Sequence, residues 1–246
     1  MDGITEKFTV IDFFNLIIAG IVFDVFLGAG YYSKFWLLFK EILMIRDNLF
    51  IVNIAIAIFF LTETLVVGLA IQVLAHYFFE GKFECEKRLI EDDLIKGMLF
   101  DNKERTEAVL YRVRQYFDLE TNSIPSADQC NAFYIYCVYY LHINKLDDKI
   151  EKIYETQGLS KLLTCALFSI PICRIMIFHA NILYTGGIDC GSGYNLFICA
   201  LSGILGYLFY CRYKISSKNR IKMILSMYDV YMRVEENKRN ANSYKL

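Results

Sequence analysis

Four long stretches of the chain contain almost no charged residues. They run from Val10 to Tyr31, from Leu49 to Phe79, from Leu162 to Tyr184 and from Tyr194 to Tyr213. A helix of about 20 apolar residues spans the hydrocarbon core of a bilayer, so this pattern predicts four transmembrane helices. The first stretch does not have the features of a cleavable signal peptide, because Asp24 lies inside it and the bulky Tyr31 and Tyr32 end it.

The segments between these stretches are polar but retain a helical pattern. From Glu80 to Gln157 apolar residues recur near the 3.6-residue period, with a break from Asp118 to Pro125. Ser126 and Gln129 have the spacing of a capping box, which predicts that a helix begins there. The sequence therefore predicts an all-α integral membrane protein with four transmembrane helices and a cytoplasmic helical domain. The predicted parts are a first transmembrane hairpin at 1–79 with an interfacial helix at 33–48, the cytoplasmic helical domain at 80–160, a second transmembrane hairpin at 161–213 and a basic cytoplasmic C-terminal helix at 214–246.

Lysine and arginine predict the orientation, because they accumulate on the cytoplasmic side of membrane proteins. Residues 80–161 contain twelve of them, residues 182–193 contain none and residues 212–246 contain nine. The middle segment and both termini are therefore predicted to be cytoplasmic. A cytoplasmic first loop with one crossing fewer is the alternative, because Lys34, Lys40 and Arg46 would otherwise lie on the outer side.

Composition excludes several classes of protein. The chain is 56% hydrophobic and 22% charged with a net charge of −1, which excludes a disordered chain and a strongly basic nucleic-acid binder. The eight cysteines form no Cys-x-x-Cys pair and the three histidines lie far apart in sequence, so we expect no metal site and no cofactor. No serine–histidine or paired-carboxylate signature is present, and the chain is predicted not to be an enzyme.

Three charged residues lie inside the predicted transmembrane helices at a similar depth. A charge at this depth is costly, so it normally faces the protein interior or water. We expect Asp24 and Arg174 to form an intramembrane ion pair, and Glu63 to face a water-filled path. The alternative is a buried polar contact between helices, in which one acid pairs with Arg174 and the other acid is protonated. Along the second helix, small or polar residues recur every four positions, which indicates either close helix packing or a polar pore wall. The predicted pore-lining residues are Glu63, Thr64, Gln72, His76 and, near the cytoplasmic mouth, Asn15.

The spacing of apolar residues also predicts self-association. Ile143, Leu146 and Ile150 follow the three-four pattern of a stalk that packs against a second copy, although an ordinary bundle helix is the alternative. Four helices are too few to enclose a wide aqueous path. A conduction path is therefore expected on the symmetry axis of a homo-oligomer.

Two basic runs are candidates for binding an anionic ligand, because charge-assisted hydrogen bonds hold phosphate groups. The candidate ligand-binding residues of the first run are Arg105, Arg112 and Arg114, with Lys103 beside them. The second run extends from Arg212 to Lys222, directly after the last transmembrane helix. A solvated surface is the alternative for the first run, and contact with lipid headgroups is the alternative for the second.

Two short segments flank the predicted membrane part of the chain. The segment from Lys7 to Asn15 leads directly into the first transmembrane helix, and the basic, aromatic segment from Arg212 to Arg220 follows the last one. Both segments resemble the membrane channel effectors of Hailong-type bacterial anti-phage defence systems. The resemblance implies a gated homo-oligomeric channel, a tetramer, in the bacterial inner (cell) membrane. It also implies an abortive-infection effector that disrupts the membrane potential under the control of a nucleotide or oligonucleotide made by a partner nucleotidyltransferase. A membrane-anchored sensor or scaffold without a pore and a small-solute transporter are the alternatives.

Overall fold

A computed structural model describes residues 10–28, 49–82, 90, 99–100, 102–145, 148–185 and 192–243. Within these ranges all regular secondary structure is helical. The elements are α1 (Val10–Gly28), α2 (Leu49–His76) with a π-helical continuation (Tyr77–Lys82), α3 (Lys103–Tyr116), α4 (Ala127–Ile143), α5 (Asp148–Thr185) and α6 (Ser192–Ser243). The predicted interfacial helix at 33–48 lies outside the described residues.

Four of these helices contain segments that are long and apolar enough to cross a membrane. The segments are Val10–Leu27, Ala57–Phe79, Lys152–His179 and Tyr194–Asn240. By length and composition, the prediction of a helical chain with four transmembrane helices is confirmed. The cytoplasmic location of the helical domain and of both termini stays a prediction, as does the bacterial inner membrane.

The last two helices extend well beyond the charge-poor stretches that the sequence shows at 162–184 and 194–213. α5 has 38 residues and α6 has 52. No proline interrupts α6, and α5 runs without a break through Pro171. The basic C-terminal segment, predicted to be a separate helix, continues the last apolar helix in the structure.

The chain divides into two compact units. The first unit comprises Met1–Phe78 and Gly158–Tyr213, and the second unit comprises Phe79–Gln157 and Lys214–Leu246. The first unit thus combines the two apolar hairpins. The second unit combines the polar middle segment with the C-terminal part of α6.

In the first unit, α1 and α2 pack closely in an antiparallel pair. A Cβ atom on Gly20 would lie 2.2 Å from the carbonyl oxygen of Thr64, and one on Gly68 would lie 2.3 Å from the carbonyl oxygen of Leu16. Only glycine leaves room for the two backbones to approach so closely at these positions. This contact fixes which side chains of α1 and α2 meet.

In the second unit, the core is formed by α3, α4 and the C-terminal part of α6. Fully buried side chains from these three helices include Val113, Phe133, Leu141, Ile221 and Leu225. The capping box at the start of α4 is present, since the Ser126 hydroxyl accepts from the Gln129 main chain at 3.2 Å and the Gln129 side chain accepts from the Ser126 main chain at 2.8 Å. The predicted helix start at Ser126 is therefore confirmed.

Candidate functional site

Asp24 of α1 and Glu63 of α2 lie next to each other in the first unit. The carboxyl groups of Asp24 and Glu63 are within hydrogen-bonding reach of each other, and the Thr64 hydroxyl donates to Oδ2 of Asp24 at 3.4 Å. Gly20 lies one helical turn before Asp24 and packs on the Thr64 backbone, which is why these groups meet. Two adjacent carboxyl groups repel each other when both are ionised, so a proton or a cation between them stabilises the pair.

Arg174 binds the C-terminal end of α1. Its guanidinium group, buried in the first unit, donates to the carbonyl oxygen of Phe26 at 2.6 Å and to that of Leu27 at 3.1 Å. The last carbonyl groups of a helix have no partner within the helix, so Arg174 satisfies acceptors that would otherwise be unpaired. It also donates to the side chain of Asn195 at the start of α6.

The predicted ion pair between Asp24 and Arg174 stays a prediction. Arg174 donates hydrogen bonds to the Asn195 side chain and to carbonyl oxygens two and three residues beyond Asp24. Asp24 itself lies against Glu63 and Thr64. Asn195 was not recognised in the sequence, although an amide inside an otherwise apolar stretch is a signal that could have identified it.

The predicted pore-lining residues occupy different environments within the subunit. Thr64 and Asn15 are buried, Glu63 is half-buried, and Gln72 and His76 are exposed. The four-residue repeat along α2 therefore divides into two parts. Its first part, Thr64 and Gly68, belongs to the close contact with α1, as expected for helix packing through small residues. The pore itself stays a prediction.

Arg112 is engaged within the second unit. Its guanidinium donates to both carboxylate oxygens of Glu236 and, at 3.4 Å, to Asp229. The hydrogen bonds that Arg112 donates to Glu236 raise the pKa of Arg112 above its usual range. A cation that already holds two carboxylates has little capacity left for a ligand.

Arg114 also has partners within the second unit. Its Nε donates to the carbonyl oxygen of Ser123 at 2.9 Å, and its guanidinium lies 3.5 Å from a carboxylate oxygen of Glu107. Arg105, in contrast, is exposed in the first turn of α3. The three arginines that the sequence grouped together therefore have separate environments, and Arg105 is the exposed one.

Arg105 lines an open groove in the second unit, with a volume of about 480 Å³. Lys222, from the second basic run, lines the same groove, so the structure brings together one residue from each of the two runs. Polar and apolar side chains complete the lining. They are Asn102, Asn219 and Ser226, and Phe100, Ile153 and Met223.

Among the described residues, no group of three histidine, cysteine, aspartate or glutamate side chains is arranged to hold a metal ion. The described residues offer two kinds of chemistry, a carboxyl pair in the first unit and a basic groove in the second.

The resemblance to Hailong-type effectors stays a prediction. Comparison of the chain with protein-family models, with curated proteins and with solved structures finds no match.

Proposed function

We propose that the chain is the subunit of a gated homo-oligomeric membrane channel whose conduction path passes the carboxyl groups of Asp24 and Glu63. The observation that supports this proposal is the contact between the two acids on helices of transmembrane length. Rings of acidic side chains attract cations and repel anions in cation channels. A carboxyl pair repeated around a symmetry axis would supply such a ring.

The oligomer is needed because one subunit has too few helices to enclose a wide aqueous path. A closed cyclic assembly places the same side chain from every subunit at the same height on the axis. Following the resemblance, we propose a tetramer in the bacterial inner membrane with both termini in the cytoplasm. In this arrangement we propose Glu63 as the acid closest to the path, because it is the only formal charge in the longest apolar stretch.

The biological role that we propose is that of an anti-phage effector, which depolarises the cell when the channel opens. Its gate would be controlled by a nucleotide or oligonucleotide from a partner nucleotidyltransferase. The support for this role is the resemblance of the segments from Lys7 to Asn15 and from Arg212 to Arg220. The chain is proposed to act without catalysis.

A proton-coupled transporter of small solutes is the second candidate, because adjacent carboxyl groups in a membrane are also suited to binding and releasing a proton. Transporters commonly build their central site from interrupted helices. In this chain α5 continues through Pro171 without interruption. A scaffold without a pore is the remaining alternative, in which a proton shared between the two acids would hold α1 and α2 together.

Single-channel recording of the purified full-length protein in planar bilayers tests the proposal. We expect discrete unitary currents with a reversal potential that shows preference for K⁺ over Cl⁻. Glu63→Gln keeps the size of the side chain and its ability to hydrogen bond with Asp24 but removes the charge, so it should lower the K⁺ preference severalfold. Thr62→Val is the matched control, since this neighbouring hydroxyl donates only to the Ile58 carbonyl of its own helix.

Each result of these recordings has a distinct meaning. Unitary currents with reduced K⁺ preference in Glu63→Gln and unchanged preference in Thr62→Val support the channel. Currents with the same selectivity in all three proteins contradict the role of Glu63. Solute uptake that depends on a proton gradient, without unitary currents, would instead support the transporter.

A further inference from the structure

We infer that the second unit binds a phosphorylated small molecule in the groove between Arg105 and Lys222. The proposed channel needs a control ligand, and this inference names where and by what chemistry it binds; to that extent it rests on the proposed function. The groove lies wholly within the second unit, whereas the carboxyl pair lies in the first. The two sites can therefore be tested separately.

Arg105 is distinguished from the other arginines that the structure describes in the second unit by its lack of a partner among the described residues. Each of the others contacts a carboxylate or an aromatic ring: Arg112 binds Glu236, Arg114 binds Glu107, Arg220 lies over the ring of Tyr154, Arg233 binds Asp229 and Arg239 binds Glu235. Arg105 is exposed and lines the groove. An arginine in this position offers its planar set of N–H donors to an anion.

Lys222 places a second positive charge in the groove from a distant part of the chain. Arg105 comes from the first turn of α3 and Lys222 from the middle of α6. Two cations that line one groove suit a ligand that carries phosphate groups, since phosphate oxygens accept charge-assisted hydrogen bonds from both residue types. A single exposed cation would not indicate such a ligand, whereas two cations that line the same groove do.

The remaining lining indicates that the ligand is larger than a phosphate ion. The groove volume of about 480 Å³ lies in the range of small-molecule sites. Asn102, Asn219 and Ser226 provide hydrogen-bonding groups, while Phe100 and Met223 provide apolar surface. These features suit a phosphorylated compound with a ring or apolar part. A soluble compound of this kind and a phospholipid headgroup share this chemistry.

Binding measurements on the full-length protein test the inference. The protein is placed in phosphatidylcholine nanodiscs, and ATP is used as a probe that combines phosphates with a planar ring. The double variant Arg105→Gln/Lys222→Gln removes both cations from the groove, and we expect it to weaken ATP binding by about tenfold or more, which corresponds to about 1.4 kcal/mol. Its unfolding temperature, measured in parallel, should match that of the unaltered protein, because Arg105 is exposed and Lys222 is only half-buried.

The matched control is the double variant Lys145→Gln/Lys238→Gln. It removes two positive charges from the second unit at exposed positions that do not line the groove. Lys238 lies sixteen residues beyond Lys222 on α6, about 24 Å away at the rise of an α-helix. We expect this control to bind ATP with unchanged affinity, so any general effect of net charge is separated from the effect of the groove.

A second arm identifies the source of the phosphate. Dihexanoyl-phosphatidylglycerol is added to the same nanodiscs as a probe for a lipid headgroup. Binding of ATP that is lost in the groove variant supports a soluble ligand, and binding of the lipid probe alone that is lost in the groove variant supports a headgroup. Binding of neither probe, or equal binding by the groove variant and its control, overturns the inference. These readouts do not depend on conduction, so they are independent of the outcome of the Glu63→Gln recordings.

Discussion

The guanidinium group of Arg112 holds both carboxylate oxygens of Glu236, which lies 124 residues further along the chain. The Nη2–Oε2 distance is 2.9 Å, and Asp229 adds a second carboxylate at 3.4 Å from Nε. The Arg112 side chain is 9% exposed, whereas that of Glu236 is 45% exposed. Within the second unit, this bidentate contact fixes the C-terminal part of α6 on α3.

We expect Arg112→Gln to lower the free energy of unfolding by about 2–3 kcal/mol, because it removes charge-assisted hydrogen bonds from a buried position. Glu236→Gln should cost only about 1 kcal/mol, because its side chain is partly solvated and Asp229 still accepts from Arg112. A double-mutant cycle, measured by denaturant unfolding in detergent, should show a coupling energy of about 1 kcal/mol. Purely additive effects would contradict the contact.

The local signals of the sequence predicted local features. The apolar stretches and the spacing of Ser126 and Gln129 depend on residues that are near neighbours in the chain, and both predictions are confirmed. Arg112 and Arg105 look equivalent in the sequence. They differ in the structure because the partner of Arg112 is Glu236, and no spacing rule links residues so far apart.

The contact between Asp24 and Glu63 shows the same limit. From their positions along the predicted helices, both acids are expected to lie at one depth in the membrane. That they meet depends on Gly20, which lets α1 approach the backbone of α2 at Thr64. Likewise, the groove combines Arg105 and Lys222 only through the packing of α3 and α6, which the sequence pattern did not predict.

Gly20→Ala is expected to disrupt the first unit. The new methyl group would lie 2.2 Å from the Thr64 carbonyl oxygen, which belongs to the backbone and cannot rotate away. We expect the helices to separate and the free energy of unfolding to fall by more than about 2 kcal/mol, as in other overpacked contacts. Thermal unfolding followed by size-exclusion chromatography in detergent measures this loss.

Gly203→Ala is the control for Gly20→Ala. Gly203 is also helical and lies in the same unit, but nothing lies within 4 Å of its added Cβ atom. Because alanine favours a helix over glycine by about 0.5–1 kcal/mol, this variant should be as stable as the unaltered protein or slightly more so. Equal destabilisation by the two substitutions would show that the close approach of α1 and α2 is not the cause.

Assembly through the predicted stalk can be tested at Ile143, which is 77% exposed at the end of α4. Leu146 and the side chain of Ile150 lie outside what the structure describes. Replacing all three with asparagine should shift the detergent-solubilised protein toward monomer, because burial of each apolar side chain contributes about 1.5–3 kcal/mol. Mass photometry reports the distribution of oligomers.

Ile124→Asn is the control for the stalk variant. Ile124 is 79% exposed in the loop before α4, so it matches Ile143 in chemistry and exposure but lies outside the stalk. We expect the oligomer of this variant to be unchanged. An unchanged oligomer in the triple variant as well would exclude the stalk as the assembly surface.

The stability of the second unit should decline at alkaline pH. Burial raises the pKa of the Cys130 thiol from 9.0 to about 11, and burial also raises that of Cys137. The unfolded state therefore loses these protons first, so the contribution of Cys130 is complete below pH about 9 and falls as the pH rises to about 11. From this shift we expect a loss of roughly 2 kcal/mol by pH 11.

Cys130→Ala separates this effect from other alkaline changes. The variant should be less stable than the unaltered protein at pH 7 because it lacks buried sulfur, but its free energy of unfolding should fall less steeply above pH 9. The remaining slope would then include Cys137, which is also fully buried. Parallel curves of unfolding free energy against pH for the two proteins would show that Cys130 does not titrate in this range.

Arg174 and Asp24 offer a direct test of what holds the end of α1. Arg174→Met keeps an unbranched apolar stem but removes the donors to the carbonyl oxygens of Phe26 and Leu27, so we expect a loss of about 3 kcal/mol or more. Asp24→Asn should change stability by less than about 1 kcal/mol, because the amide oxygen still accepts from Thr64 and the repulsion with Glu63 disappears. An ion pair between Asp24 and Arg174 predicts the opposite for Asp24→Asn, a loss of about 3–5 kcal/mol, since the guanidinium would lose its counter-charge in an apolar site. Unfolding of the two variants in detergent therefore decides between carbonyl binding and the ion pair, with equal losses favouring the ion pair.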